Sequence, residues 1–284
     1  MAFQEIENYW SRLTSRDLNV YQEIEGDKIE VPCLENTMAI KLPDEQKIPP
    51  TWEEVFEIGK ANVDEIYKVY RSAHQEGLRV FPLAYQVFNA YWQTPLVATS
   101  NTRPWQRVRV VIVGQDPYHN WNEEINRPSA MGLAFSVPYG QPNVSLRNIF
   151  NELAREYKEF DINRSPNLTP WARQGVLLLN QSPVVYEGKP NDPRTKKIAA
   201  GLFQATVKAI QKANPNCVWV IWGREAEKAV TRVLGKDAKH VLYSNHPSGL
   251  SANRGKTPFI GNGHFRKINE ILTSMGQEPI RWHY

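Results

Sequence analysis

Four short, nearly continuous apolar runs alternate in this chain with longer segments of helical spacing, and this alternation constrains the fold more than any other feature. The runs are residues 108–113, 175–179, 218–222 and 240–244. Strands buried on both faces have this β-branched composition without strict alternation, because helices cover a parallel sheet on each side. The pattern predicts an α/β fold: a central four-stranded parallel sheet flanked by helices in three α/β/α layers, with right-handed crossovers.

Helical segments precede, connect and follow these runs. One begins after Thr51, a candidate N-cap, and another lies near residues 83–92. A third starts near Ser145, whose side chain is a candidate cap for the helix that follows. The remaining segments with apolar residues at helical spacing are residues 198–210, 225–234 and 264–275. These segments supply the helical layers.

Polar residues follow each apolar run. They are residues 114–119 (GQDPYH), Asn180, the pair Gly223 and Arg224, and residues 245–250 (NHPSGL). Because the carboxyl ends of parallel strands meet at one edge of a sheet, where ligands bind, we expect these segments to converge. A carboxylate, a phenol and an imidazole in the first segment indicate an active site at that edge.

The charge balance permits a polyanionic partner but does not identify one. The chain has 34 Lys and Arg against 30 Asp and Glu, so any nucleic-acid-binding face must be local. The cysteines, Cys33 and Cys217, are far apart in sequence, which argues against a disulfide framework and for a reducing compartment. The first residues lack the pattern of a secretion signal or transit peptide, and no apolar segment is long enough to span a bilayer. We therefore expect a cytoplasmic protein.

The chain is predicted to consist of an extension and one catalytic domain. Residues 1–50 mix aromatic and charged side chains, end on Pro49 and Pro50, and are predicted to pack on the core or be appended to it. Residues 51–284 contain all the apolar runs and form the predicted catalytic domain.

Five segments together resemble the uracil-DNA glycosylase family, of the common family-1 type. They are the hexad 114–119, GLAFSV at 132–137, the strand 176–180, HPSGLSANRG at 246–255 and GHFRKINEIL at 263–272. All five occur in the family's order, and the set is specific although any one motif alone is weak evidence. The resemblance implies a monofunctional DNA glycosylase that hydrolyses the N-glycosidic bond of uracil in single- and double-stranded DNA. It also implies base flipping and a place at the start of base excision repair.

The resemblance assigns catalytic roles to two side chains. Asp116 orients and helps deprotonate the attacking water, and its charge stabilises the cationic sugar. His246, as a neutral imidazole, donates a hydrogen bond to uracil O2 as negative charge develops there. The backbone N–H of Gln115 is implied as a second donor to the same oxygen.

Three further residues are implied to bind the base. Asn180 donates to O4 and accepts from N3–H, a pattern that uracil matches and cytosine reverses. Phe135 stacks on the ring, and Tyr118 occupies the place of a thymine 5-methyl group. From the residues alone, a strand-end cap explains Asn180 equally well, and a core position is the usual state of a phenylalanine.

Six residues are implied to contact DNA. Leu250 corresponds to the family's wedge, which takes part in base flipping. The phosphate contacts are Ser145, Arg224, Ser248, Ser251 and Arg254. Taken singly, a leucine more often packs on a core, and each serine is more often a turn or cap residue. Arg224 stands where the family usually has serine, and it also suits a solvated face.

The chain departs from the family pattern in its loops. Residues 120–131, interpreted as a polar loop, exceed the usual length by about half a dozen residues, and the proline-rich loop is reduced to residues 138–144. Gly249 replaces a usual proline, so the wedge is presented less rigidly. Residues 181–183, Gln-Ser-Pro, replace a Thr-Val-Leu-like continuation. These changes affect rate, strand preference and inhibitor sensitivity more than the type of reaction.

The expected partners are uracil-containing DNA and a uracil-glycosylase inhibitor protein, with the enzyme itself a monomer associated with the nucleoid through DNA. No metal or cofactor is expected, since the sequence lacks a metal-ligand cluster, a phosphate-binding Gly-rich loop and an iron–sulfur pattern. The alternatives are a glycosylase for another deaminated base, a non-catalytic DNA-binding relative and a flavodoxin-like nucleotide binder. Tyr118, Phe135 and Asn180 together argue against the first, Asp116 against the second, and the missing phosphate loop against the third.

Overall fold

The computed structural model describes residues 48–100, 102–235 and 238–283. In chain order its helices are α1 (Glu53–Ile58), α2 (Lys60–Gln75), α3 (Asn89–Gln93), α4 (Val144–Glu156), α5 (Thr169–Ala172), α6 (Pro193–Ala213), α7 (Arg224–Leu234) and α8 (His264–Ser274). Its strands are β1 (Val80–Phe81), β2 (Val110–Gly114), β3 (Trp121–Asn122), β4 (Arg127–Pro128), β5 (Val176–Asn180), β6 (Val185–Tyr186), β7 (Val218–Trp222) and β8 (His240–Ser244).

Strands β5, β2, β7 and β8 lie side by side in that order, and all neighbouring pairs are parallel. The register pairs Gly114 of β2 with Asn180 of β5, and Trp222 of β7 with Ser244 of β8. Helices α3 and α5 contact β5, while α7 and α8 contact β7. The predicted four-stranded parallel sheet flanked by helices is confirmed, and the ends of its strands form one edge.

Burial explains how a charged residue fits among the apolar runs. Every residue of β2 and β7 is buried, whereas β8 has a single neighbouring strand and leaves Val241 exposed. Arg109, directly before β2, is also buried, and its guanidinium donates to the carbonyls of Gln174 at 2.7 Å and Glu278 at 2.6 Å. Burial lowers the pKa of Arg109 to about 10. The two carbonyls satisfy this charge where the strand enters the sheet.

Two predicted helix caps are wrong. Thr51 precedes the N-cap position, which Trp52 occupies, and its Oγ1 instead accepts a hydrogen bond from the N–H of Leu96 at 2.8 Å. The N-cap position of helix α4 is Asn143, two residues before the expected Ser145, so Ser145 lies in the first turn. Near residues 83–92 the structure has a 3-10 turn, Ala84–Gln86, followed by α3. A tertiary hydrogen bond to Leu96 therefore replaces the predicted capping role of Thr51.

The segment 120–131 is not an irregular loop. Its strands β3 and β4 form an antiparallel hairpin in which Trp121 pairs with Pro128. The Trp121 ring lies 6.2 Å from the ring of Phe81, and the guanidinium of Arg79 lies 4.8 Å above it. Packing of one aromatic side chain on a distant part of the chain therefore orders a segment that its composition marked as a loop.

Two carboxylates of α4 hold the start of α8. Glu152, which is buried, accepts hydrogen bonds from the N–H groups of Gly261 at 2.6 Å and Gly263 at 3.1 Å. Glu156 accepts from the N–H groups of Phe265 at 3.3 Å and Arg266 at 2.5 Å. The first N–H groups of a helix have no partner within the helix and favour negative charge. These bonds fix α8 against α4.

The predicted extension, residues 1–50, falls almost wholly on residues 1–47, which lie outside the described residues, so it stays a prediction. Cys33 belongs to that segment, and Cys217 is a free, buried thiol whose pKa is raised by burial. Among the described residues, no helix combines the length and apolar character needed to cross a membrane.

Candidate active site

A cleft of about 540 Å³ opens at the edge of the sheet where β2, β5 and β8 end. The predicted site residues that line it are Gln115, Asp116, Tyr118, Phe135, Ser145, Asn180, His246, Ser248 and Leu250. Ser251, Arg224 and Arg254 lie outside this lining. The strand topology thus brings the ends of three strands together with the loop containing Phe135 and the start of α4.

The carboxylate of Asp116 has one fixed and one free oxygen. Its Oδ2 accepts hydrogen bonds from Nε2 of Gln115 at 3.0 Å and from the backbone N–H of Asn191 at 3.0 Å. Its Oδ1 is buried and has no partner among the described residues. An ionised carboxylate accepts hydrogen bonds at both oxygens. Oδ1 is therefore the carboxylate oxygen without a protein partner, and a buried acceptor left unpaired indicates that a substrate or water molecule pairs with it.

Two features that hold Asp116 were missed from the sequence. The first is the side chain of Gln115, which binds the carboxylate, whereas only its backbone N–H was expected to contribute to the site. Asn191 adopts φ 65°, the left-handed region that asparagine tolerates better than most residues. Pro190 and Asn191 line the cleft. The Pro-Asn-Asp-Pro sequence at residues 190–193 signals a turn, but it does not reveal which carboxylate the turn meets.

His246 is held as a neutral hydrogen-bond donor. Its Nδ1 accepts a hydrogen bond from the N–H of Ser248 at 3.0 Å, which leaves the proton of the neutral ring on Nε2. Burial lowers the pKa of His246 to about 4. The imidazole is therefore neutral near pH 7. Its ring centre lies 5.7 Å from that of Phe135, so the donor borders the aromatic surface of the cleft.

Phe135 forms an aromatic surface in an unusual backbone conformation. Its φ is 65°, which is rare for a bulky residue, and the hydroxyl of Tyr118 donates to its carbonyl at 3.0 Å. Burial raises the pKa of Tyr118, so the phenol stays protonated and remains a donor. The Phe135 ring packs edge-on against Trp222 at 5.5 Å, and Nε1 of Trp222 donates to Nδ1 of buried His264 at 3.1 Å. Trp222 and His264 were not foreseen as supports of the site.

The side chain of Asn180 depends on a glycine in the neighbouring strand. Gly114 pairs with Asn180, and a Cβ on Gly114 would lie 2.2 Å from the Asn180 Oδ1 and 3.0 Å from the Cβ of Ala134. The Asn180 amide forms no hydrogen bond within the described residues, so it does not cap the strand end. Its donor and acceptor are available to a ligand in the cleft.

The expected DNA contacts lie partly at the rim of the cleft and partly outside its lining. Leu250 is 78% exposed, which rules out the alternative of a core leucine. Ser251 donates its hydroxyl to the carbonyl of His246 at 2.8 Å, and the hydroxyls of Ser248 and Ser251 are 2.9 Å apart. Ser251 therefore braces the loop. Arg224 and Arg254 are exposed, and the described residues contain no group of three or more His, Cys, Asp or Glu side chains placed to hold a metal ion.

The arrangement can bind a planar heterocycle and direct water to its bond with another group. Phe135 offers a ring face, and Asn180 offers a donor and an acceptor in the plane of a ring. Asp116 supplies an acceptor for water and a negative charge, while His246 supplies a neutral donor for an oxygen that becomes negative.

Comparison with known proteins agrees with this chemistry. Residues 103–273 match the sequence model of the Uracil DNA glycosylase superfamily. Curated uracil-DNA glycosylases of Wolinella succinogenes and Bordetella avium are each 38% identical to this chain, covering 83% and 89% of it and 94% and 93% of their own lengths. Mimivirus uracil-DNA glycosylase has a TM-score of 0.66 and 25% identity, covering 83% of this chain and 87% of that one. A variant of mimivirus UNG solved in complex with UGI has a TM-score of 0.67 and 25% identity, covering 83% and 88% of the two chains.

Fold, site and relatives together define a DNA glycosylase, a hydrolase of N-glycosidic bonds that acts in DNA repair. The chain belongs to the uracil-DNA glycosylase family.

Proposed function

We propose that this enzyme excises uracil from single- and double-stranded DNA by turning the nucleotide out of the helix into the cleft, leaving an abasic site. The observation that carries the proposal is the unpartnered Oδ1 of Asp116, a residue that lines the same cleft as neutral His246 and the amide of Asn180. A stacked base cannot reach such a cleft, so a duplex substrate requires base flipping. Water is the co-substrate of the hydrolysis.

In this proposal the base is selected by hydrogen bonding and by shape. The Asn180 amide donates to uracil O4 and accepts from N3–H, and cytosine would leave both groups unpaired. Phe135 stacks on the ring. The hydroxyl of Tyr118 is committed to the carbonyl of Phe135, which fixes the phenol ring in place. The ring then excludes the 5-methyl group of thymine by its bulk.

The reaction separates charge, and the cleft holds a partner for each sign. As the bond between C1′ and N1 breaks, its electron pair stays on uracil, mainly at O2, and positive charge develops on the deoxyribose. Water bound to Oδ1 of Asp116 attacks C1′ and passes a proton to the carboxylate, whose charge also stabilises the sugar. Nε2–H of His246 donates to O2, and a donor of this kind is worth about 10²–10³-fold in kcat.

DNA binding is assigned to the rim. Leu250 is the wedge, Ser145 and Ser248 contact phosphates from the edge of the cleft, and the exposed Arg224 and Arg254 add electrostatic attraction. Ser251 contributes by holding the loop through its hydroxyl. We further propose that the enzyme acts as a monomer and that an inhibitor protein, like the UGI bound to the mimivirus relative, competes with DNA for this rim.

A test uses an oligonucleotide with one uracil, incubated without added metal and then treated with alkali to cleave abasic sites. We expect strand cleavage by the wild type, a loss of at least about 10³-fold for Asp116→Asn, and full activity for Asp64→Asn, an exposed aspartate on α2. Asn180→Asp should lose uracil excision and begin to release cytosine.

Two results would refute the proposal. One is wild-type turnover on an oligonucleotide with a different deaminated base but none on uracil, which would favour the alternative substrate. The other is binding of uracil-containing DNA without any cleavage, which would favour a non-catalytic DNA-binding protein.

A further inference from the structure

Val144, the first residue of α4, leaves 58% of its surface exposed, which is high for a large apolar residue in this protein. It lies against the loop that carries the wedge: a Cβ built on Gly249 would be 3.2 Å from Cγ1 of Val144. Leu250, the next residue of that loop, is 78% exposed. Two large apolar side chains are thus exposed to solvent on neighbouring segments of the rim.

The two segments are joined as one unit. Nδ2 of Asn148, one helical turn after Val144, donates to the carbonyl of Pro247 at 2.7 Å. Ser145 and Ser248, from the same two segments, both line the cleft. A β-branched valine in a helix has one strongly preferred side-chain rotamer. Val144 therefore presents a rigid apolar surface whose position relative to the wedge loop is fixed.

Gly249 increases the need for a residue that supports the loop carrying Leu250. Glycine has the greatest backbone freedom of any residue, so its place beside Leu250 weakens the support of the wedge. Val144 Cγ1 occupies the space next to the missing side chain, at a distance tighter than an ordinary contact to a Cβ. Val144 therefore limits how far the backbone at Gly249 can move towards α4.

We propose that Val144 is a second wedge residue, which enters the disturbed base stack beside Leu250 and supports the loop at Gly249. The proposal rests on the proposed function, since it requires DNA from which a nucleotide has been turned out. Proteins that unstack base pairs insert apolar side chains between base steps, and each inserted group is buried against the neighbouring bases. A single-stranded substrate has no stacked duplex to fill, so the contribution of Val144 is specific to double-stranded DNA.

The test compares kcat/KM for one uracil in a single strand, opposite guanine and opposite adenine. For Val144→Ser we expect the ratio of adenine-paired to single-strand turnover to fall about tenfold, equivalent to about 1.4 kcal/mol. The guanine-mispaired substrate should show a smaller fall, because a mismatched base costs less to unstack. Val144→Ile, which keeps the apolar β-branched shape, should keep the ratio within about twofold of the wild type.

The matched control is Val97→Ser, because Val97 is a 40% exposed valine that belongs neither to α4 nor to the wedge loop. This variant should leave all three rates unchanged. An unchanged ratio in Val144→Ser, whether the rates themselves fall equally or stay the same, would overturn the proposal, and so would a fall of the ratio in the control. A wild-type enzyme without turnover on any uracil substrate would refute the proposed function, and this proposal with it.

Discussion

Replacing Gly114 by alanine should damage base recognition without touching the base. The new Cβ would lie 2.2 Å from Oδ1 of Asn180, whereas ordinary contacts begin at 3.4 Å, so the amide must retreat by roughly 1 Å. Ala134 Cβ, at 3.0 Å from the new group, closes one direction of escape. A misplacement of about 1 Å typically costs about 100-fold in rate. We expect Gly114→Ala to lower kcat/KM on a single-stranded uracil substrate by about that factor.

A double-mutant cycle with Asn180→Ala shows whether the effect passes through the amide. In the Asn180→Ala background the clashing oxygen is absent, so Gly114→Ala should lower kcat/KM by less than about threefold, the non-additive result expected for two residues in contact. The matched control is Gly201→Ala on α6, whose Cβ would lie 2.4 Å from Oδ1 of Asn62; neither Gly201 nor Asn62 lines the cleft. It should leave kcat/KM near the wild-type value. Additive losses, or a loss in the control as large as in Gly114→Ala, would refute the reasoning.

Two further predictions concern stability. The pKa of His246 is about 4 in the folded protein and near 6.5 when unfolded, so the unfolded chain binds its proton first as the pH falls. The contribution of neutral His246 to the free energy of unfolding is therefore complete above pH 6.5 and decreases as the pH falls from 6.5 towards 4. Urea titrations across this range should show a smaller decrease in stability for His246→Gln than for the wild type. An identical decrease would contradict the assignment. Glu152→Gln keeps one acceptor for the N–H groups of Gly261 and Gly263 and should lower the unfolding free energy by about 2–3 kcal/mol, against less than about 0.5 kcal/mol for exposed Glu159→Gln.

The sheet could be predicted from the sequence because short β-branched apolar runs that alternate with helical segments favour parallel strands covered by helices. β7 and β8 have the predicted bounds, and the run before Asn180 became β5. Placing the chemistry required one more rule, that parallel strands deliver their carboxyl ends to the same edge. Asp116, Asn180 and His246 follow three such strands, and the structure brings them to one cleft.

What the sequence could not show depends on partners distant in the chain. Asn191 binds Asp116 through a backbone N–H, and a main-chain donor leaves no signature in residue types. The support of Phe135 by Trp222 and His264 joins residues separated by 42 positions and more. The hairpin of β3 and β4 depends on Trp121 finding Phe81. Local sequence propensity contains no information about these contacts between residues distant in the chain.

The pairing of Gly114 with Asn180 has a consequence for heat inactivation. Because Asn180 ends one strand and the loop of Asp116 continues directly from its neighbour, a slip by one residue would turn the Asn180 amide to the opposite face of the sheet. We therefore expect activity to be lost at the temperature at which the central strands unfold, without an active, partly unfolded intermediate. Substitutions in the loops around the cleft can change the DNA contacts without changing the sheet, whereas the positions of Asp116 and Asn180 depend on the pairing of the central strands.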